Sequence, residues 1–188
     1  MGSFRRMRMN GWGAALVALA IVGGASCGAS DRPARAGSIS ANADDEGPAM
    51  PEFSLASLDG KQLGPADLRG KVVLYDFWAT WCTPCHVQAE ILDRLYPQEH
   101  GKGVEFVAIS SGEPADTVRK YVAKKPFPYT VLLDEEDSLS GPLDIEALPT
   151  LIVVDATGKV VWRHVGLADS GTLQDVLTKA ASTASTGV

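Results

Sequence analysis

The stretch "VVLYDFWATWCTPCHVQAE", Val72 to Glu90, changes its period part-way along. Val72 to Trp78 is a run of apolar and aromatic residues broken by one acid, Asp76, and it reads as a strand buried on both faces. From Thr83 onward the spacing becomes helical. Val87, Ile91 and Leu95 recur four apart, and Pro97 is expected to stop the pattern. Two of the chain's three cysteines, Cys82 and Cys85, fall where strand gives way to helix. A Cys-x-x-Cys pair there can be half of a zinc site, a structural disulfide or a redox couple.

Outward from this junction the rest of the domain falls into place. "FSLASLDGKQL" alternates apolar residues around an Asp59-Gly60 turn and reads as a hairpin. "GVEFVAIS" is a second buried strand, and "EPADTVRKYVAKK" is a helix with Val118 and Val122 four apart. "YTVLLD", "TLIVVD" and "VVWRHVG" are strands, the last two joined by the turn Ala156-Thr157-Gly158-Lys159. "SGTLQDVLTKAAS" is a final helix, with Leu173 and Leu177 inward. Strands separated by helices imply parallel neighbours through right-handed crossovers, whereas the hairpins add antiparallel ones. The expected class is α/β: a mixed central sheet with helices on both faces and an N-terminal hairpin.

Composition narrows the function. The chain has 188 residues, 45% hydrophobic and 21% charged, enough for one domain with extensions. A net charge of −6, with no basic stripe, argues against nucleic acid as a partner. The N-terminus departs from that acidity. "MGSFRRMRMN" carries Arg5, Arg6 and Arg8, and "AALVALAIV" and "GGASCGAS" follow. This is the pattern of a secretory signal peptide over residues 1–27. The apolar run falls short of the roughly 20 residues that span a bilayer. Cys27 is expected to carry a lipid anchor, although Gly24 stands where lipoprotein signals usually have Leu, and an ordinary cleavage site beside it is the simpler alternative. An uncleaved signal would also tether the chain. A twin-arginine signal is disfavoured, because Arg8 interrupts the apolar residues expected after the pair. Residues 28–50, rich in Gly, Ala, Ser, Pro and Asp, read as a flexible linker. The folded domain is expected over 51–181, with a fraying tail at 182–188.

At the junction, the first amides and the positive dipole end of the helix point at the Cys82 sulfur. Pro84 suits the first turn, because it gives up a donor that has no helical partner there. Thiolates placed this way have pKa values of roughly 3.5–7.5. Cys85, one turn in, lies within disulfide reach. Cys82 is therefore expected to attack a substrate disulfide and Cys85 to resolve the mixed disulfide. Asp76, inside an apolar strand, would have a raised pKa and could exchange a proton with Cys85. A strand-edge Asp pointing to solvent is the plainer alternative. Pro149 opens a buried strand, where proline is tolerated, and a trans bond is the ordinary expectation.

Competing chemistries are weaker. Zinc needs about four ligands, and His86, His100 and His164 have no ligand spacing. His86 is expected to face solvent, away from the pair. Copper delivery is disfavoured on the same ground, and no metal is expected. A permanent Cys82–Cys85 staple closes too short a loop to add much stability. Peroxidatic cysteines sit in a different local motif.

"DFWATWCTPC" together with "EALPT" resembles the thioredoxin superfamily, and the wider pattern resembles its TlpA/ResA-like branch of exported thiol–disulfide oxidoreductases. The resemblance runs from about Pro51 to Ala180, through "PEFSLASLDGKQLGPADLRGK", "FPYTVLLDEED" and "ALPTLIVVDATGKVVWRHVG". It implies a thioredoxin-like fold, with Cys82 as exposed nucleophile and Cys85 as resolving cysteine. Trp81 would shield the pair and Asp76 would be the buried acid. It implies a cis-proline at Pro149, with Leu148 offering backbone bonds to an extended substrate. Thr83 and Pro84 complete the expected substrate-binding set, and the Thr-Pro pair resembles reducing members. Branch members often carry Glu three residues after the second cysteine. Gln88 stands there, and Glu90 falls on another helix face, so Asp76 is expected to transfer protons alone.

The resulting expectation is a protein disulfide reductase in the bacterial periplasm or cell envelope, with no cofactor beyond the Cys82–Cys85 disulfide. A monomer is expected, taking electrons from a membrane thiol donor and acting on protein disulfides, apocytochrome c among the candidates. The other class in play is a tethered thioredoxin-fold binding module or metallochaperone without turnover.

Overall fold

The computed structural model describes residues 47–184. The expected signal peptide, Cys27 and most of the linker lie outside these residues, as do 185–188.

Seven strands and three α-helices follow one another in the expected order. They are β1 (Leu55–Ser57), β2 (Gln62–Leu63), β3 (Val72–Trp78), α1 (Thr83–Glu99), β4 (Val104–Ser111), α2 (Ala115–Val122), β5 (Thr130–Asp134), β6 (Thr150–Val154), β7 (Val160–Val165) and α3 (Ser170–Ala184). They form one sheet in the order β2-β1-β5-β4-β3-β6-β7. β3 pairs in parallel with β4, and β4 with β5. The remaining pairings are antiparallel. β3 is thus interior, between β4 and β6, and all seven of its residues are buried, as a predominantly apolar run predicts.

Alternation along β3 divides the core. Val72, Leu74 and Trp78 join a cluster with Leu92 and Leu95 of α1, Val118 of α2, and Leu173 and Leu177 of α3. Val73, Tyr75 and Phe77 face a second cluster with Leu132, Leu139 and Ile152. The α-helices supply their buried residues to the first face. The second carries the short 3-10 helix Pro65–Leu68, whose Leu68 packs there with Leu143 and Ile145. Both turns read from sequence are present, with Gly60 at φ 85° and Gly158 at φ 93°, a conformation that suits glycine.

Three boundaries differ from expectation. The sequence reading extends the linker to Met50, yet Ala49 bridges Lys159, the Val160 N–H donates to the Pro48 carbonyl at 2.8 Å, and Met50 is buried in the second cluster. Backbone pairing needs no apolar side-chain pattern, so the alternation carries no sign of it. Pro97 does not stop α1, which continues to Glu99. Proline in a last turn removes one bond only, and Leu95 and Glu99 are buried on either side of it. The tail expected from 182 is helical through Ala184.

Candidate active site

Three chain segments build the site: the turn from β3 into α1, the loop after β4, and the approach to β6. β3 ends at Trp78 with its partner Ser110 beside it in β4. The loops after these parallel strands therefore emerge side by side, at the carboxyl ends of the strands where ligands of open α/β sheets bind.

Cys82 is the N-cap of α1, and its sulfur accepts a hydrogen bond from the Cys85 N–H at 3.3 Å. Pro84 lies in the first turn. Cys82 and Cys85 are joined in a disulfide. The resemblance implied an exposed nucleophile, but Cys82 is only 4% exposed and Cys85 1%, both within the first core cluster. The surface above them belongs to Trp81, 70% exposed, and to Thr83 and Pro84. Leu148 packs against the cluster that holds both cysteines, and its bond to Pro149 is cis. Pro149 is buried, and its carbonyl accepts the Gly166 N–H at 2.8 Å.

Asp76 is fully enclosed at 1% exposure, in register with Ala108 and Leu151, and neither carboxylate oxygen has a hydrogen-bond partner. It is not a strand-edge acid facing solvent. Burial pushes its pKa up to about 7, and the neighbouring Asp93 adds to the rise. Asp93, on α1, is raised by its own burial and by Glu90. The Tyr129 phenol is held above its usual range by burial, with Asp76 and Asp93 contributing. Sequence reading passes over Asp93, because an acid on a long amphipathic helix ordinarily faces solvent.

Gln88 is buried, and its Oε1 accepts the Ala168 N–H at 2.8 Å, tying α1 to the loop before α3. Glu90, on another face, is exposed. His86 does not face solvent as expected. Its Nε2–H donates to the Thr80 carbonyl at 2.9 Å, and its ring stacks on Tyr121 at 5.2 Å. The sequence reading puts Glu113 at the start of a helix, but it precedes α2 and is buried at 6% exposure. Its carboxylate accepts the Thr80 N–H and the Thr80 hydroxyl, both at 2.6 Å. The one signal for Glu113 in the sequence is its place just past the end of a strand adjacent to β3. Among the described residues no group of three or more His, Cys, Asp or Glu is placed to hold a metal ion.

A disulfide-joined Cys-x-x-Cys at the N-cap of a helix, leaving an interior strand of a mixed sheet and packed with a Leu–cis-Pro segment, defines the thioredoxin-like class. Known proteins agree. The Redoxin family model matches residues 45–179. ResA, a thiol–disulfide oxidoreductase of Bacillus anthracis, is 33% identical over 133 residues, covering 71% of this chain and 77% of that one. ResA of Bacillus subtilis (strain 168) is 31% identical over 132 residues, covering 70% and 74%. The crystal structure of a thiol:disulfide interchange protein of the thioredoxin family from Chlorobium tepidum TLS superimposes with a TM-score of 0.64 at 29% identity, covering 73% of this chain and 99% of that one. The chain belongs to the Redoxin family, as a ResA-like thiol–disulfide oxidoreductase of the thioredoxin superfamily.

Proposed function

We propose that this protein reduces protein disulfides outside the cytoplasm, through reversible opening of the Cys82–Cys85 bond. The observation that carries this reading is the seat of Cys82 at the N-cap of α1, with an amide of the first turn already directed at its sulfur. That donor and the helix dipole favour the thiolate, which is both the nucleophile and the better leaving group.

In the dithiol form the Cys82 thiolate attacks one sulfur of the substrate disulfide. A Cys82–substrate bond forms, the substrate S–S bond breaks, and the other substrate sulfur leaves as a thiolate. Cys85 then gives its proton to Asp76, whose pKa near 7 suits transfer in both directions at neutral pH. The Cys85 thiolate attacks Cys82 and releases the second substrate thiolate. Two electrons pass to the substrate, and the protein is left as the disulfide. A thiol donor at the membrane restores the dithiol. Leu148 and Pro149 receive the substrate backbone in extended form, and Trp81, Thr83 and Pro84 present the surface it meets. Apocytochrome c is one substrate whose cysteines must be reduced before haem attachment. The basic and apolar N-terminal segment supports export, Cys27 supports a lipid tether, and the protein acts as a monomer.

Insulin reduction by wild type and Cys82→Ser tests the exchange. Turnover by wild type and none by the variant is expected; equal activity sinks the proposal. Direction is read from the redox equilibrium with glutathione. A potential toward the thioredoxin end of the range, about −270 mV, is expected, and a value near about −120 mV overturns the reductase reading.

A further inference from the structure

The turn that delivers the nucleophile is held from outside itself. Ala79, Thr80 and Trp81 connect β3 to Cys82. Within the turn, the Cys82 N–H donates to the Ala79 carbonyl at 3.1 Å. The polar groups of Thr80 reach beyond the turn. Its N–H and hydroxyl donate to the two carboxylate oxygens of Glu113, each at 2.6 Å, and its carbonyl accepts His86 Nε2–H at 2.9 Å. Glu113 belongs to the loop between β4 and α2, flanked by Gly112 at φ 65° and Pro114. His86 is braced by its stack on Tyr121 of α2. A buried carboxylate that accepts two short bonds from one residue fixes that residue in position and orientation.

We propose that Glu113 is a positioning residue for disulfide exchange. Through Thr80 it fixes the 79–82 turn, so that the Cys82 sulfur stays over the first turn of α1 in line for attack. Glu113 directs its hydrogen bonds to Thr80 and not to either sulfur. Sulfur attack on a disulfide demands an in-line approach, and a displacement of about 1 Å in a reacting group can cost on the order of a hundredfold in rate. The turn is a few residues long, exposes Trp81 and has one backbone bond of its own, from the Cys82 N–H to the Ala79 carbonyl. Glu113 adds a restraint from outside it, with His86 as the second point of attachment. Placing the acceptor just past β4 rather than on α1 ties the nucleophile to the sheet, and the sheet also carries Pro149 at the start of β6.

The inference rests on Cys82 being the nucleophile and is independent of the direction of electron flow. The full chain is compared as wild type, Glu113→Ala, Glu113→Gln, Thr80→Val and Thr80→Val/Glu113→Ala. Insulin turnover, iodoacetamide alkylation of Cys82 in the reduced protein, and thermal unfolding are measured on the same samples. Glu113→Ala is expected to lower kcat at least tenfold per folded molecule, with KM within threefold. Glu113→Gln restores most of the rate, because its amide oxygen still accepts from the Thr80 N–H. The double variant is expected to be no slower than Glu113→Ala, since Glu113→Ala already removes the hydroxyl bond that Thr80→Val deletes. Alkylation of Cys82 slows in Glu113→Ala in parallel with kcat.

A folded Glu113→Ala protein within threefold of wild type in kcat and alkylation overturns the proposal, as does full additivity in the double variant. If Glu113→Ala does not fold, Thr80→Val decides. A kcat loss of threefold or more at constant KM supports the clamp, and a smaller change overturns it. Inactive wild type would mark failure of the exchange reading instead, and the alkylation rates would still decide the clamp.

Discussion

Asp76 occupies an expensive position for a carboxylate. It lies within the fully buried strand β3 with no hydrogen-bond donor on either oxygen, and burial followed by the Asp93 charge holds its pKa at about 7. The fold therefore favours the protonated acid. Its contribution is fully present below the ordinary value of 3.8 and is lost as pH rises through about 7. At about 1.4 kcal/mol per unit, the penalty at alkaline pH is on the order of 4 kcal/mol. Asp76→Asn should thus be more stable than wild type at pH 8, with the difference shrinking toward pH 4, as measured by urea denaturation. The same variant should resolve mixed disulfides more slowly at pH 7, because Cys85 loses its proton acceptor. Its single-turnover rate should lack the rise through about pH 7 expected of wild type. Equal stability of the two proteins across that window would place Asp76 in a wetter site than the one described.

At the scale of elements, one carboxylate at the end of β5 organises the segment that follows it. The carboxylate of Asp134 at the end of β5 accepts from Ser138 Oγ at 2.8 Å, from the Ser140 N–H at 2.8 Å and from Ser140 Oγ at 2.7 Å, and it also meets the Leu139 N–H. Burial alone would raise its pKa, but the bonds from Ser140, Ser138 and Leu139 outweigh it and hold the group below the usual range. This carboxylate organises the start of the segment that runs to Leu148 and Pro149, and it seats Leu139 in the core. Asp134→Ala should destabilise the protein by about 2–4 kcal/mol, since hydrogen bonds to charged groups contribute roughly 1.5–3 kcal/mol and neighbouring bonds are not additive. Thermal unfolding checks this, and a loss under about 1 kcal/mol would remove Asp134 as the organiser. The strands, helices and turns themselves were legible, because hydrophobic period and Gly placement are local properties. Glu113 and Gln88 were not, because each acts on a residue that is remote in sequence and near only after folding.

For the whole molecule, the domain starts before the apolar pattern does. Met50 is buried in the second cluster, and the backbone at 48–50 pairs with the β6–β7 turn. Met50→Ala should therefore cost about 2–4 kcal/mol, in the range of core truncations. A solvent-exposed linker residue would cost less than about 0.5 kcal/mol. The comparison is a direct measure of where the folded unit begins.

The α/β class, the order of elements, the burial of the Val72–Trp78 strand and the Cys82-x-x-Cys85 junction could all be read from the sequence alone. Each of these depends on periodicity or on residues within one turn of each other. It took the packed chain to decide that Asp76 is enclosed beside Asp93, that Gln88 binds Ala168, and that Glu113 and His86 grip the turn before Cys82. A charge or hydrogen-bonding group in a sequence carries no mark of its partner, because burial and reach exist only once distant segments have come together.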